Sequence, residues 1–240
     1  MEQASKKNEK LKSVSFFCPA YHDELNLPEL IPQVFNFLEK NTEKFEIVII
    51  EDCSPDSTGQ VADDLATKFP HIRVVHHNKN QGITATMKEG FNTARYEYVM
   101  YTDGDNQYNI WDFEPYLNLL KTNDVIAGYA IKKAVSKFRV FQSNLHNFLI
   151  NILFFVNFKD INCSMKIFKK SVLDSIDICS SSKGGFIDAE LILKAKKLGY
   201  KIAQFPVVHY ERRSGIAGGT KPKVVLNTIK DMIMLRLNLL

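Results

Sequence analysis

The sequence of 240 residues predicts an α/β protein built on a mostly parallel sheet with helices on its faces. Two observations carry this prediction. Short runs rich in aromatic and β-branched residues alternate along the first hundred residues with longer segments whose apolar residues recur at helical spacing. Clusters of Ser, Asp, Asn and Gly separate these segments, as turns do. Strand alternating with helix is typical of βαβ units, which place their strands in parallel.

The first half of the chain contains four predicted strands joined by three predicted helices. The first strand stops at Pro19, and the first helix has Pro28 near its start, a position that proline favours. Ser and Asp residues ahead of the second helix can cap it. The predicted strands lie at 13–17, 46–50, 72–77 and 96–101, and the predicted helices lie at 27–40, 58–68 and 83–94.

The second half is less regular. A short strand at 124–128 precedes a basic stretch at 131–139, and the apolar segment 143–158 is too short to cross a membrane. That segment is either a core helix or an interfacial one, and core packing is the more ordinary interpretation. After it come a helix at 188–198 closed by Gly199, a strand at 201–210 and an amphipathic helix from 222. The predicted organisation is a polar leader at 1–12, one domain at 13–220 and a C-terminal amphipathic helix at 221–240.

Composition narrows the function only slightly. Lys and Arg outnumber Asp and Glu by 31 to 27, and the net charge of +4 suits a phosphorylated ligand or an anionic membrane surface without requiring nucleic acid. The first 13 residues lack the apolar core of a signal peptide. The cysteines include no close pair, so neither zinc nor disulfides are indicated and a reducing cytosol is expected. They are Cys18, Cys53, Cys163 and Cys179.

Polar side chains follow four of the predicted strands. In a parallel sheet ligands bind outside the carboxyl ends of the strands, so these four segments should share one crevice. Their side chains would bring carboxylates and amides together. The segments are 21–24, 51–56, 78–81 and 103–107.

Asp103 and Asp105 directly follow the strand that ends near residue 101, with one glycine between them. Two carboxylates this close raise one another's pKa unless a cation compensates them. A divalent ion with oxygen ligands, Mg²⁺ or Mn²⁺, would bind both the carboxylates and substrate phosphate oxygens. Taken alone, Asp-Gly-Asp is also a common turn sequence.

Six sequence blocks, in their order and spacing, carry a pattern that covers most of the chain. They are CPAYHDE (18–24), EDCSPDST (51–58), NQGITATMKEGFNTA (80–94), YTDGDNQY (101–108), DINCSMKIFKK (160–170) and FIDAELILKAKKLGYKIAQFPVVHYERRSG (186–215). With these blocks the sequence resembles glycosyltransferase family 2, and within it the polyprenyl-phosphate (dolichyl-phosphate) mannosyl- and glucosyltransferase-like branch. The resemblance spans residues 13–220 and implies a GT-A fold, a Rossmann-like sheet with a C-terminal acceptor region.

The resemblance implies which residues contact the nucleotide sugar. Asp52 would accept a hydrogen bond from the base, although helix capping or turn formation is the alternative role. Gly82 would let the backbone approach the nucleotide. Asp103 and Asp105 would place the metal on the diphosphate and stabilise the leaving group. The full set of nucleotide-sugar contacts is Pro19, Ala20, Tyr21, Glu24, Asp52, Gly82, Asp103 and Gln107.

The resemblance implies a second set of residues that bind the acceptor. In the resembling branch an Arg and a Ser four residues later hold the lipid phosphate, and Arg139 and Ser143 have this spacing, which on a helix places them on one face. A surface Arg beside a Ser is the alternative interpretation. The branch's Gly-Ser-Arg is replaced here at 128–130, so that contact is lost unless Lys132 or Lys133 supplies it.

Further charged residues complete the implied site. Asp188 or Glu190 lies where many relatives carry a general base for a hydroxyl acceptor. Arg212 and Arg213 match a basic segment that closes over the phosphates, and Lys166 would join them. Each of these cations has a solvated surface position as its alternative.

The implied reaction is an inverting transfer of a hexose from a nucleoside diphosphate sugar to a polyprenyl phosphate. A second interpretation is transfer to a saccharide or lipid-linked saccharide hydroxyl in polysaccharide or glycan synthesis. A third is a nucleotide-sugar binding module without turnover. The expected location is the cytoplasm, at the inner face of the membrane, with 145–158 and the C-terminal helix as peripheral membrane contacts.

Overall fold

The computed structural model describes residues 9–180, 186–212 and 222–238, and in this part of the chain seven strands form one sheet. The strands are β1 (Leu11–Ala20), β2 (Thr42–Glu51), β3 (Ile72–His76), β4 (Tyr98–Tyr101), β5 (Val125–Lys133), β6 (Lys166–Lys169) and β7 (Ile202–His209). The helices are α1 (Leu27–Asn41), α2 (Thr58–Lys68), α3 (Ile83–Thr93), α4 (Lys137–Phe154), α5 (Lys170–Asp174), α6 (Ile187–Lys197) and α7 (Pro222–Asn238).

The strand order is β3-β2-β1-β4-β6-β5-β7. All neighbours are parallel except β6, which is antiparallel to both β4 and β5. This confirms the predicted mostly parallel sheet. Because β6 runs the opposite way, its first residue, Lys166, lies at the same edge as the last residues of β1 to β4.

The sheet has apolar layers on both faces. Alternate residues of β1 point to opposite sides, so Phe16 packs among α1, α2 and a 3-10 helix at Ile110–Lys121, whereas Phe17 packs against α3. Residues of α6 and the buried Ile150 of α4 join the second layer. Within the described chain, none of the helices combines the length and the apolar character that crossing a bilayer requires.

The prediction that β1 ends at residue 17, stopped by Pro19, is wrong by three residues. The strand continues to Ala20, and Pro19 pairs in register with Ile50 of β2. On the other side, β4 pairs with β1 only as far as Phe17. A residue without an N–H is tolerated beyond that point because β1 then has a partner on one side.

Helix α4 also differs from the prediction. It begins at Lys137, six residues before the predicted segment, and ends at Phe154. Its buried residue is Ile150, while Phe138, Phe141 and Phe148 are all more than half exposed. Core packing of this segment is therefore not what the structure shows. The 3-10 helix at Ile110–Lys121 and strand β6 were not predicted from the sequence.

Candidate active site

The polar loops predicted to share a crevice do lie at one edge of the sheet. The loops after β1 and β2 are joined by hydrogen bonds from Asp52 N to Ala20 O (3.1 Å) and from Asp23 N to Thr58 Oγ1 (2.9 Å). The loop after β3 joins them through His77, whose Nδ1 lies 2.6 Å from Asp52 Oδ1. Parallel strands ending at one edge are the physical reason.

The turn that carries Asp103 and Asp105 packs tightly against the loop after β1. A Cβ added to Gly104 would lie 2.4 Å from the carbonyl oxygen of Pro19 and 3.1 Å from Asp23 Oδ2. Any side chain at this position would push the turn outward. Glycine is therefore required between the two aspartates for a packing reason.

The electrostatics of this turn favour a bound cation. Burial, followed by the Asp105 and Asp188 carboxylates, raises the pKa of Asp103 to about 7. Burial also raises the pKa of Asp105, against the opposing effect of Arg212. Asp103 N donates to Ser164 Oγ at 3.3 Å. Ionising both carboxylates is costly without a positive partner, which is the environment that a divalent ion suits.

Arg212 supplies a positive partner to Asp105. Its Nη2 donates to Asp105 Oδ2 and also lies 3.3 Å from Gln107 Oε1. Gln107 is held in turn, because its Nε2 donates to Tyr210 O at 3.0 Å and its N–H donates to Asp105 Oδ1 at 3.1 Å. Gln107 thus supports Asp105 and Arg212 together, as the polar residue predicted beside the aspartates.

The donor set fits a metal that shares its ligands with a substrate. Within the described residues, no group of three or more His, Cys, Asp or Glu side chains is arranged to hold a metal ion. Mg²⁺ typically takes one or two carboxylates and fills its remaining positions with water and phosphate oxygens. Asp103 and Asp105 can provide the carboxylates of such a shared site.

The Asp52 carboxylate forms hydrogen bonds with other groups of the protein. The N–H groups of Gln81 and Gly82 donate to its two carboxylate oxygens, each at 2.8 Å, and His77 binds Oδ1. Asp52 is 3% exposed. The alternative role of anchoring a helix start is thus visible at the first turn of α3. The predicted contact with a base remains a prediction.

The other predicted donor residues lie around the same loops. Tyr21 is partly exposed, and Glu24 accepts a hydrogen bond from Ser57 N at 2.9 Å. Gly82 has a φ of 85°, in the region that favours glycine, and its carbonyl begins α3. Asp23 lies within the polar segment 21–24 but was not among the predicted donor contacts; it is buried and accepts a hydrogen bond from Asn26 Nδ2.

Asp188 lies in the first turn of α6 and faces the aspartate turn. Its Oδ1 accepts hydrogen bonds from Tyr101 Oη at 2.6 Å and from Lys166 Nζ at 2.7 Å. Lys166 is fully buried and also donates to Cys163 O. This placement turns Lys166 toward Asp188 and the protein interior instead of toward the surface, where the predicted contact with an acceptor phosphate would lie.

Glu190, the alternative to Asp188, is buried and bound by neighbouring groups of the protein. Its carboxylate accepts from Cys179 N (2.7 Å) and Ser180 N (2.8 Å), and Lys194 forms an ion pair with it at 2.6 Å. Its side chain is 1% exposed. The geometry therefore favours Asp188 over Glu190 as the acidic residue of the site.

The predicted acceptor residues lie on α4. Arg139 is exposed, and Ser143 one turn later accepts a hydrogen bond from Lys133 Nζ at 2.7 Å. Lys133 also pairs with Asp160 at 2.8 Å. Lys133, one of two lysines considered as a replacement for the missing Arg, is thus joined to Ser143. Arg213 lies outside the described residues.

Comparisons with known proteins place these residues in context. Residues 15–177 match the sequence model of the family described as Glycosyl transferase family 2. The chain is 29% identical over 208 residues to a dolichyl-phosphate beta-glucosyltransferase of Trichomonas vaginalis, covering 81% of this chain and 64% of that protein. A dolichyl-phosphate beta-glucosyltransferase of Dictyostelium discoideum is 26% identical over 81% of this chain and 65% of its own length. The chain therefore spans slightly less than two thirds of these relatives.

The fold is also shared with a solved structure. Glucosyl-3-phosphoglycerate synthase from Mycobacterium tuberculosis, crystallised with Mn²⁺, uridine diphosphate and phosphoglyceric acid, superposes with a TM-score of 0.71 at 17% identity. The superposition covers 95% of this chain and 78% of that one. This likeness confirms the predicted GT-A fold.

Proposed function

Because this chain belongs to glycosyl transferase family 2, we propose that it transfers a hexose from a nucleoside diphosphate sugar to a polyprenyl phosphate, dolichyl or undecaprenyl. The proposed reaction is a single in-line displacement that inverts the anomeric carbon. The acceptor phosphate oxygen forms the new bond, and the nucleoside diphosphate departs with the electrons of the old one.

The observation that carries this proposal is the Asp103–Gly104–Asp105 turn and its surroundings. Two carboxylates with raised pKa values lie beside Arg212, at the sheet edge where the loops after β1, β2 and β3 meet. Mg²⁺ or Mn²⁺ held there would neutralise charge on the departing diphosphate. Arg212 suits the same diphosphate because a guanidinium binds phosphate with two N–H groups.

The acceptor assignment is supported by the basic group at the start of α4. Arg139, Ser143 and Lys133 offer two cations and a hydroxyl within one turn of helix and the adjoining strand. These groups suit a phosphate monoester, because cations form strong charge-assisted hydrogen bonds to its oxygens. The relatives in Trichomonas vaginalis and Dictyostelium discoideum carry dolichyl phosphate in their names.

An acceptor lipid also requires a membrane-facing surface, and α4 and α7 supply one. Along α4 the exposed apolar residues recur at spacings of three or four positions with one adjacent pair, and α7 has the same pattern. Exposed Lys132, Lys137 and Arg139 flank this surface and complement anionic lipid. The exposed residues are Phe138, Phe141, Leu145, Phe148, Leu149 and Ile152 on α4, Phe155 directly after α4, and Leu226, Ile229, Ile233, Met234 and Leu237 on α7. We therefore place the domain at the inner face of a membrane as a peripheral protein.

The deciding experiment measures nucleoside diphosphate released from a panel of sugar donors, with Mg²⁺ or Mn²⁺ and with or without undecaprenyl phosphate. We expect release to require metal and to increase with the lipid. Asp103→Asn and Asp105→Asn should each lower kcat/KM about 100-fold, roughly 2.7 kcal/mol of transition-state stabilisation. Asp64→Asn, an exposed carboxylate on α2, is the matched control and should behave as the wild type.

The same assay separates the competing functions. Transfer to a saccharide hydroxyl is favoured by one observation, the Asp188 carboxylate close enough to raise the pKa of Asp103. A hydroxyl acceptor needs a base, so Asp188→Asn would then cause a large loss of kcat. Binding of a donor without release from any of the panel would instead indicate a nucleotide-sugar binding module.

A further inference from the structure

Tyr101 and Lys166 lie directly opposite each other on antiparallel strands β4 and β6. Opposed residues in such a pair project to the same face of the sheet. Helix α6 packs on that face, and its Asp188 receives a hydrogen bond from each of them on one oxygen, Oδ1. Residues of β4 and β6 therefore both bind one carboxylate oxygen of α6, although the three elements are distant in sequence.

The Lys166 ammonium is buried, so its desolvation must be compensated by partners in the protein. A lysine that is fully buried costs several kcal/mol of desolvation unless it is paired and hydrogen-bonded. Its partners are the carbonyl oxygen of Cys163 and Asp188 Oδ1, and its Nζ lies 5.8 Å from the centre of the Tyr101 ring. The Asp188 side chain, in contrast, is 18% exposed. The cation is inside and the anion lies at the rim of the site.

The Lys166–Asp188 pair acts on a site already rich in negative charge. Asp23, Asp103 and Asp105 lie together, since Gly104 packs against Asp23 between the two other carboxylates. Asp188 raises the pKa of Asp103 and Lys166 lowers it, so both charges of the pair act on Asp103. An anionic acceptor and a diphosphate must both bind close to these carboxylates. Each uncompensated negative charge would oppose them.

We propose that Lys166 is a positioning residue that holds Asp188 by one oxygen and cancels its charge, so that a phosphate acceptor can approach the carboxylate-rich site. This inference rests on the proposed function, because it assumes an anionic acceptor. It replaces direct phosphate binding by Lys166 with an effect exerted through Asp188.

A charge cycle tests the inference by direct binding of undecaprenyl phosphate in detergent, which needs no turnover. Lys166→Met leaves the pair with one net negative charge and should weaken the Kd about tenfold. Asp188→Asn leaves one net positive charge and should tighten the Kd. Lys166→Met combined with Asp188→Asn restores neutrality and should return the Kd to within about threefold of the wild type.

Lys194→Met is the matched control, because it unpairs the buried Glu190 on the same helix. It should lower the unfolding midpoint and leave lipid binding unchanged. If Lys166→Met does not fold, Asp188→Asn and the double variant still complete the comparison. Equal weakening in both single variants without recovery in the double variant would overturn the inference. Absence of nucleoside diphosphate release by the wild type would instead count against the proposed function.

Discussion

The guanidinium of Arg212 donates from Nη2 to Oδ2 of Asp105, joining residues 107 positions apart in the sequence. This contact ties the chain after β7 to the aspartate turn after β4. It also gives Asp105 a monovalent partner at the carboxylate where the proposed divalent ion would bind. Arg212 and the proposed metal would therefore compete for the Asp105 carboxylate, and a bound diphosphate would offer Arg212 another partner.

Replacing Arg212 should separate metal affinity from turnover. In Arg212→Gln, Asp105 loses its competing cation, so Mn²⁺ without nucleotide should bind several-fold more tightly. Turnover should fall at least tenfold because the diphosphate loses a guanidinium contact. Calorimetric Mn²⁺ titration and donor kinetics measure the two effects. Arg95→Gln, on an exposed arginine, is the control, and weaker Mn²⁺ binding in Arg212→Gln would contradict this account.

Gly104 should not tolerate a side chain. Alanine there would meet Pro19 O at 2.4 Å, so the aspartate turn must move, at a cost of about 1–3 kcal/mol in unfolding free energy. Metal-dependent nucleotide binding should weaken as well. Urea unfolding and nucleotide titration give the two values.

Gly59→Ala is the matched control for that substitution. Its Cβ would lie 3.6 Å from the nearest atom, an ordinary contact, and Gly59 lies in the first turn of α2. We expect it to stabilise the protein by about 0.5–1 kcal/mol. Equal destabilisation by both alanines would show that close packing of the aspartate turn is not the cause.

Stability should depend on pH through Glu190. Burial alone would raise the pKa of Glu190, but Lys194, Ser180 and Cys179 donate to the carboxylate and hold its pKa below the usual value. The folded-state pKa is therefore lower than the unfolded-state value of about 4.3. The ionised group contributes its full stability above that value and loses it as the pH falls through the folded-state pKa.

Glu190→Gln should therefore cost roughly 2–3 kcal/mol at neutral pH and progressively less below about pH 4.5. Denaturant unfolding at several pH values measures the difference. Glu39→Gln, on the exposed side of α1, provides the comparison. A stability difference from the wild type that stays constant down to pH 3 would be inconsistent with the lowered pKa.

The exposed aromatic residues of α4 should be needed for membrane binding and not for folding. Phe138, Phe141 and Phe148 are 58–68% exposed, so changing all three to Ser should leave the unfolding midpoint nearly unchanged. Flotation with vesicles containing anionic lipid should fall at least tenfold. Leu25→Ser combined with Leu198→Ser, which removes two exposed apolar residues elsewhere, should float as the wild type does.

Local pattern was sufficient for much of the fold. Helix α2 spans the predicted residues 58–68, and α1, α3 and α6 agree within one residue at each end, because apolar spacing and turn residues are short-range signals. The helix at 187–197 is followed by Gly199 at a φ of 88°, as its glycine predicted. Strand β6 was missed because four residues carry little periodic signal.

The sequence by itself determined the α/β class, the family resemblance and the position of Asp103 and Asp105 at the end of a strand. Only the tertiary structure decided what each charged side chain faces. Lys166 pairs with Asp188 because β6 runs antiparallel beside β4, and Arg212 reaches Asp105 because β7 ends at the same edge of the sheet. Strand order and burial arise from long-range packing, which sequence spacing does not encode locally.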